Sequence, residues 1–335
     1  MMLNKINFVN PILSFFQLVK CVIGYRIRGI RRFNHFGTEE TVRVLDQSSD
    51  KSLRMPIPAV VWIYWHEPEI PVFIEKIIAH NKTLLAGYEV RILNKNSVHT
   101  YLSNLFFAAS TLVAHQADLI RLELLARYGG IWLDATVVLG ANLNWVTNIA
   151  MDRKFDIIGY YSERNTIDQQ FPMIETWFIA APSHNEFIKQ WRDEFAHIKR
   201  LGSRVYHEQL QKREDYFQIS QRISRPAYLM LNLAEQIVSR SPLGINAHLK
   251  RCEDSAFYVQ EALGWDNYAI NYMFTQRVVP ASFSIIKLTA GDRMFVSQMH
   301  RFGLLNRRSL VGQLVAEKNR SSEFAIKNQQ HDSTS

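Results

Sequence analysis

Apolar residues run without a break through Ile57-Pro-Ala-Val-Val-Trp-Ile-Tyr-Trp65, leaving no position to face water. Such a run predicts a strand covered on both faces, as in a parallel sheet. Glu67-Pro-Glu-Ile-Pro71 interrupts it as a loop, and Pro71 suits the first turn of a helix. Val72, Ile74, Ile77, Ile78 and Leu85 then recur at helical spacing over 72–86, and Gly87 closes that helix. Tyr88-Glu-Val-Arg-Ile-Leu93 alternates as a second strand. The three pieces predict a β-α-β unit with a right-handed crossover.

The pattern continues in the same manner. Helices are expected over 97–106, 114–128 and 184–199, the last with Phe187, Ile188, Trp191 and Phe195 on one face. Strands are expected over 131–134, 155–161, 176–181 and 283–289, and broken helices over 204–240, interrupted near Pro226. The fold class is therefore α/β: one domain over 56–315 with a mostly parallel central sheet flanked by helices. Residues 1–36 read as a helical arm, 37–55 as a polar linker, and 316–335 as a disordered Ser- and Gln-rich tail.

Charge sharpens the arm. The chain carries a net charge of +8, which suits an anionic partner. Ile12, Phe15, Phe16, Val19, Val22 and Ile23 form an apolar stripe, followed by Arg26, Arg28, Arg31 and Arg32. The stripe is too short to span a bilayer and lacks a small-residue cleavage site. It reads as an interfacial helix on an anionic membrane surface, or else as a helix packed on the core. The arginines cluster at one terminus with no reading module, so nucleic acid is not expected as a partner. The two cysteines, Cys21 and Cys252, cannot build a disulfide framework, which fits a reducing compartment.

The candidate chemistry lies in His115-Gln-Ala-Asp-Leu-Ile-Arg-Leu-Glu-Leu-Leu-Ala-Arg-Tyr-Gly-Gly-Ile-Trp-Leu-Asp-Ala-Thr136. Leu119, Leu122, Leu125 and Ala126 give the helix its apolar face, while Asp118 and Arg121 are three apart and share another. Gly129-Gly130 stops the helix, and the next strand delivers Asp134 to a carboxyl end, where ligands of open α/β sheets sit. Carboxylates accept hydrogen bonds from sugar hydroxyls, and a guanidinium matches phosphate oxygens. A surface ion pair and a polar strand end would also account for any one of these residues taken singly.

The string Ala117 to Asp134 resembles the core motif of bacterial capsular polysaccharide synthesis glycosyltransferases, related to glycosyltransferase family 32. Pro56 to Trp65, Glu175-Thr-Trp-Phe-Ile-Ala-Ala181 and Ile285-Ile-Lys-Leu-Thr289 resemble further strands of that family, so the likeness spans roughly 55–290. It implies a GT-A fold, a nucleotide-sugar donor, a glycan or lipid-linked glycan acceptor, retention at the anomeric carbon, and a place at the inner face of the cell membrane. Asp118 and Arg121 would contact the donor, and Asp134 would be the first residue of an Asp-X-Asp motif holding Mn²⁺ or Mg²⁺. Here Ala135-Thr136 replaces the rest of that motif, and a threonine hydroxyl is a poor ligand for a hard cation.

Around this core, Trp65 is the expected nucleobase-stacking residue, beside Tyr64, with Trp62 in the core and His66 structural. Lys287 sits inside an apolar strand and needs a partner, either the donor diphosphate or a nearby carboxylate. Trp177 would border the acceptor or join the core. Asp215 resembles an acidic position of the family, ahead of Asp266, and a helix cap would equally explain either. Two rivals remain. One is a member that keeps the fold without turnover, and the other is a sugar- or polyol-phosphate transferase.

Overall fold

The computed structural model describes residues 11–37, 40–47, 56–153, 155–280 and 282–316, with the side chains of 11–15 and 152 outside that description. Its strands are β1 (Val42–Asp46), β2 (Val60–Tyr64), β3 (Glu89–Leu93), β4 (Gly130–Leu133), β5 (Val137–Leu139), β6 (Ile157–Ser162), β7 (Met173–Ala181), β8 (Asn246–Arg251) and β9 (Ile285–Lys287). Seven of them form one sheet in the order β1–β8–β6–β7–β4–β2–β3, while β5 and β9 pair separately. Five strands of the large sheet run one way, and β1 and β7 run against them. The α/β architecture is the one expected, and β2, the helix Val72–Leu84 and β3 make the expected parallel unit.

Alternation along β2 shows why the sheet is buried twice. Val61 and Ile63 enter one core with Ile74, Ile77, Leu133 and Phe178, and Trp62 and Tyr64 enter the other with Leu122, Leu125 and Trp132. The first is covered by the helix Val72–Leu84 and the second by the helices Val113–Tyr128, Glu186–Ala196 and Met230–Ser239. Each face removes a layer of aromatic and branched side chains from water, the main favourable term in folding.

Several expectations are corrected. The segment 97–106 holds only a 3-10 turn, Ser97–Thr100, because Asn94 accepts from the backbone of Asn96 and Ser97 at 2.9 and 3.0 Å and sets a tight turn instead. The linker 37–55 contains β1, an edge strand whose only long buried side chain is Leu45. Its partner β8, Asn-Ala-His-Leu-Lys-Arg, buries just Ala247 and Leu249 fully, too weak an alternation to announce a strand. Residues 38, 39 and 48–55 of that linker, 1–10 of the arm, and the tail beyond 316 lie outside the described residues.

The arm is a helix, Pro11–Arg28, and it does two things. Leu18 and Cys21 pack against Tyr272, Phe295 and Met299, and the Tyr25 hydroxyl donates to Asp266. Phe16, Ile23 and Ile27 remain outward at 63%, 51% and 80% exposure, on the face that Lys20 shares. Among the described residues no helix is long and apolar enough to cross a membrane.

Candidate active site

The helix Val113–Tyr128 ends because Gly129 takes φ 63° and Gly130 φ 96°. A side chain at Gly129 would meet the Ser183 backbone nitrogen at 2.4 Å, and one at Gly130 the Val60 carbonyl at 2.6 Å. The glycine pair thus reverses the chain and seats β4 against β2 at once. β4 then delivers Asp134 beyond the carboxyl ends of β2, β3 and β4, where its backbone nitrogen donates to the Trp177 carbonyl at 2.9 Å.

Asp118, Arg121, Asp134 and Lys287 meet there. Arg121, only 5% exposed, donates to Asp118 Oδ1 at 2.5 Å and to Asp134 Oδ1 at 3.1 Å. Its guanidinium lies over the Trp132 ring, 4.8 Å from the centroid, and the Trp132 indole donates to Asp134 Oδ1 at 2.8 Å. Lys287 donates to Asp134 Oδ2 and to the Thr136 hydroxyl, the latter at 3.0 Å. β9 brings it there, since Lys287 pairs with Val137 just past Asp134. The partner of Lys287 is therefore a carboxylate, one of the two that its burial demanded.

Burial and pairing set the protonation. Burial pushes the Asp118 carboxyl up, and Arg121 recovers only part of that. At Asp134 burial acts in the same direction, but Lys287 and Arg121 outweigh it and hold the group low. Burial lowers the Lys287 ammonium despite Asp134. The cluster thus sets two acids, Asp118 and Asp134, against two bases, Arg121 and Lys287.

Other expected residues fall elsewhere. Tyr64 is 7% exposed, its hydroxyl 3.0 Å from His66 Nδ1, so its ring is packed rather than offered for stacking. Burial lifts that hydroxyl to about 12. Trp65 turns to the opposite sheet face, against the core of Ile63 and Leu133. Among the described residues no hydrogen bond, ion pair or ring contact joins it to the cluster. Trp177 is a core aromatic, 4.7 Å from the Tyr160 ring, not an open acceptor wall. Asp215 is clamped by Arg213 at 2.8 and 2.9 Å and takes no part in the cluster. Asp266 is an N-cap, accepting from Tyr268 and Ala269 backbone nitrogens at 2.9 and 3.2 Å. Trp62 is core, as expected, its indole donating to the Gly129 carbonyl at 2.8 Å.

Three neighbours were missed. Arg293, in the turn Gly291–Arg293, is close enough to feel Asp134 and Tyr228. Tyr228 in turn feels Asp118 and Asp134, with Arg225 over its ring at 5.1 Å. Glu175 opens the quoted β7 string and lies beside Glu253, Lys287 and Asp134; burial lifts it to about 7. Nothing periodic marks any of them, because each reaches the site by tertiary contact.

A divalent cation does not fit this donor set. Both Asp134 oxygens already accept, from Arg121, Trp132 and Lys287. The Thr136 hydroxyl faces the Lys287 ammonium, and two cations flank the place a third would occupy. Among the described residues no group of three or more His, Cys, Asp or Glu side chains could hold a metal ion.

The O-glycosyltransferase braB of Annulohypoxylon truncatum is 30% identical over 155 residues, covering 40% of this chain and 36% of that protein. The O-glycosyltransferase PaGT of Phomopsis amygdali is 24% identical over 184 residues, covering 46% of this chain and 44% of that protein. The chain spans less than half the length of these curated relatives. Among solved structures, the PaToxG glycosyltransferase aligns with 70% of this chain and 90% of its own at 12% identity and a TM-score of 0.28. A glycosyltransferase involved in glycosylating the major capsid of PBCV-1 aligns with 57% and 93% at 9% identity and a TM-score of 0.29. A family model described as capsular polysaccharide synthesis protein matches residues 32–235. That match takes in Asp118, Arg121 and Asp134 and more than half of the sequence, and the chain belongs to the capsular polysaccharide synthesis protein family.

Proposed function

We propose that this chain is a glycosyltransferase that moves a sugar from a nucleotide-sugar donor to a hydroxyl of a growing surface glycan, free or lipid-linked. The observation that carries the reading is the Asp118–Arg121–Asp134–Lys287 cluster beyond the carboxyl ends of parallel strands. Family membership and the two O-glycosyltransferase relatives support it.

The residues have distinct work. Asp118 and Asp134 accept hydrogen bonds from donor hydroxyls, and Arg121 fixes both carboxylates in place. Lys287 and the nearby Arg293 neutralise the diphosphate as the sugar–oxygen bond breaks. No step uses a divalent cation. The exposed Phe16, Ile23 and Ile27, with Arg26, Arg28, Arg31 and Arg32 beyond them, hold the protein on an anionic membrane surface at the cytoplasmic face. Co-sedimentation with phosphatidylglycerol vesicles, lost in Phe16→Ser/Ile23→Ser/Ile27→Ser, checks that part.

The reading is tested with a thermal-shift panel of UDP-, GDP- and dTDP-sugars, followed by product analysis. One donor should raise the melting temperature and release a nucleoside diphosphate, and Asp134→Ala should lose both effects. A nucleoside monophosphate product would mark sugar-phosphate transfer instead. Full transfer by Asp134→Ala would overturn the assignment of the cluster. Anomeric coupling in the product's NMR spectrum reads whether configuration is retained, as the family resemblance implies.

A further inference from the structure

Neither residue expected at the acceptor is free to meet one, since Trp177 is packed and Asp215 is clamped. Past Trp177, however, residues of β5, β6, β8 and β9 line a pocket of about 160 Å³. Glu40, Tyr160, Lys250 and Ser284 give it a polar wall, and Leu139 and Leu143 an apolar one. Two paths tie it to the cluster. Leu139 pairs with Ile285, also in the pocket wall, at one end of the β5–β9 ladder. Val137 pairs with Lys287 at the other end, about 7 Å along the strands. The Tyr160 ring lies 4.7 Å from the Trp177 ring, and the Trp177 carbonyl accepts from the Asp134 backbone nitrogen at 2.9 Å.

The polar groups of this pocket are not spent on one another. Tyr160 and Lys250 are register partners on β6 and β8 and share a sheet face. Tyr160 is only 1% exposed, yet its hydroxyl makes no hydrogen bond among the described residues. Buried hydroxyls are nearly always paired, so this one points to a partner seated in the pocket. Lys250 donates to Glu40 and lies over the Trp145 ring, 3.9 Å from its centroid. Phe178 stacks on the same ring at 5.7 Å, so Trp145 steadies the ammonium. An ammonium has three N–H donors, and Glu40 takes one of them. The Ser284 hydroxyl donates to that carboxylate at 3.2 Å. One acid set against one base suits an uncharged polyhydroxyl ligand better than an anion. The volume is below that of drug-sized sites and suits a single sugar ring.

We propose that this pocket is the subsite for the terminal, uncharged sugar residue of the acceptor glycan. The inference rests on the sugar-transfer reading. Hydroxyls of that sugar accept from Tyr160 and Lys250 and donate to Glu40, while a C–H face of its ring covers Leu139 and Leu143.

The test is saturation-transfer NMR on the full chain, with the methyl glycosides of glucose, galactose, mannose and N-acetylglucosamine as probes at millimolar concentration. At least one should bind. Tyr160→Phe removes only the unpartnered hydroxyl, so it should melt no lower than wild type while weakening that glycoside roughly 3- to 10-fold. Lys250→Met should abolish the signal. UDP, GDP and dTDP should leave the glycoside bound. With the nucleotide sugar that stabilises the chain most, the glycoside should raise nucleoside diphosphate release above plain hydrolysis, and Tyr160→Phe should raise its KM more than it lowers kcat. No glycoside bound to the wild type, or equal binding by both variants, overturns the proposal and leaves sugar transfer standing. Binding that adds no diphosphate release, or that a nucleoside diphosphate displaces, overturns the acceptor assignment in the same way. If no nucleotide sugar binds the wild type, the transfer reading falls and this one with it.

Discussion

Arg121→Ala tests the cluster most directly. Arg121 is 5% exposed and bridges two carboxylates. Its removal leaves Asp134 still paired with Lys287 and Trp132, but leaves Asp118 buried without its ion-pair partner. Breaking a buried pair from one side costs about 3–5 kcal/mol, and losing the stack on Trp132 adds roughly 0.5–1 kcal/mol. A loss of about 4 kcal/mol lowers the folded-to-unfolded ratio roughly a thousandfold. The loss depends on pH. Burial already raises Asp118 with Arg121 present, and without Arg121 it rises further. A carboxyl higher in the folded than in the unfolded state stabilises at low pH and loses that stability as pH climbs through its folded value. Urea unfolding followed by circular dichroism should therefore show a larger deficit for Arg121→Ala, relative to wild type, at pH 8 than at pH 5. Adding Asp118→Asn should return roughly 2 kcal/mol at pH 8, since an uncharged amide no longer needs the cation. A deficit under about 1 kcal/mol at pH 8, or no recovery with Asp118→Asn, would refute the reasoning.

Further outcomes follow from other sites. Gly129→Ala should destabilise by roughly 2–5 kcal/mol, from the strained backbone and the overlap with Ser183, as read by thermal melting. Glu235 is fully buried among Ser239 and Gln236, and burial lifts it from the usual 4.5 to about 7. Stability from this group is lost as pH rises from 4.5 to about 7, amounting to about 3 kcal/mol. Glu235→Gln should thus flatten that slope and raise stability at pH 8 in chemical denaturation. Lys287→Ala should weaken nucleotide-sugar binding by roughly 10- to 100-fold in calorimetry, whereas EDTA should leave wild-type binding unchanged, because no ligand set for a divalent cation is built at Asp134.

Local patterns carried much of this molecule. The unbroken apolar run ending at Trp65 predicts a doubly buried strand, and β2 is one. Gly129-Gly130 predicts the helix stop that aims β4, and both glycines take positive φ. Asp118, Arg121 and Asp134 lie within 17 residues of one another, so helix and strand periodicity alone could bring them together. Where the sequence left a side chain's surroundings open, the deciding contact was distant. Tyr64, Trp65 and Trp177 have side chains suited to stacking, but which face of a strand each occupies and what covers it depend on the whole sheet. β1 and β8 carry too few buried residues to be seen singly, and they become strands by pairing, β8 with both β6 and β1, and β1 with β8.

The sequence by itself determined the α/β periodicity, the glycine turn and the short-range half of the site, because those depend on steric and hydrophobic rules over a few residues. Only the tertiary structure decided that Lys287 closes the cluster from 153 positions away, and that β7 breaks its register at Glu175. It also decided that Asp134 is already spoken for by three donors. A buried charge takes whatever partner the fold brings within reach, and the chain order does not name that partner.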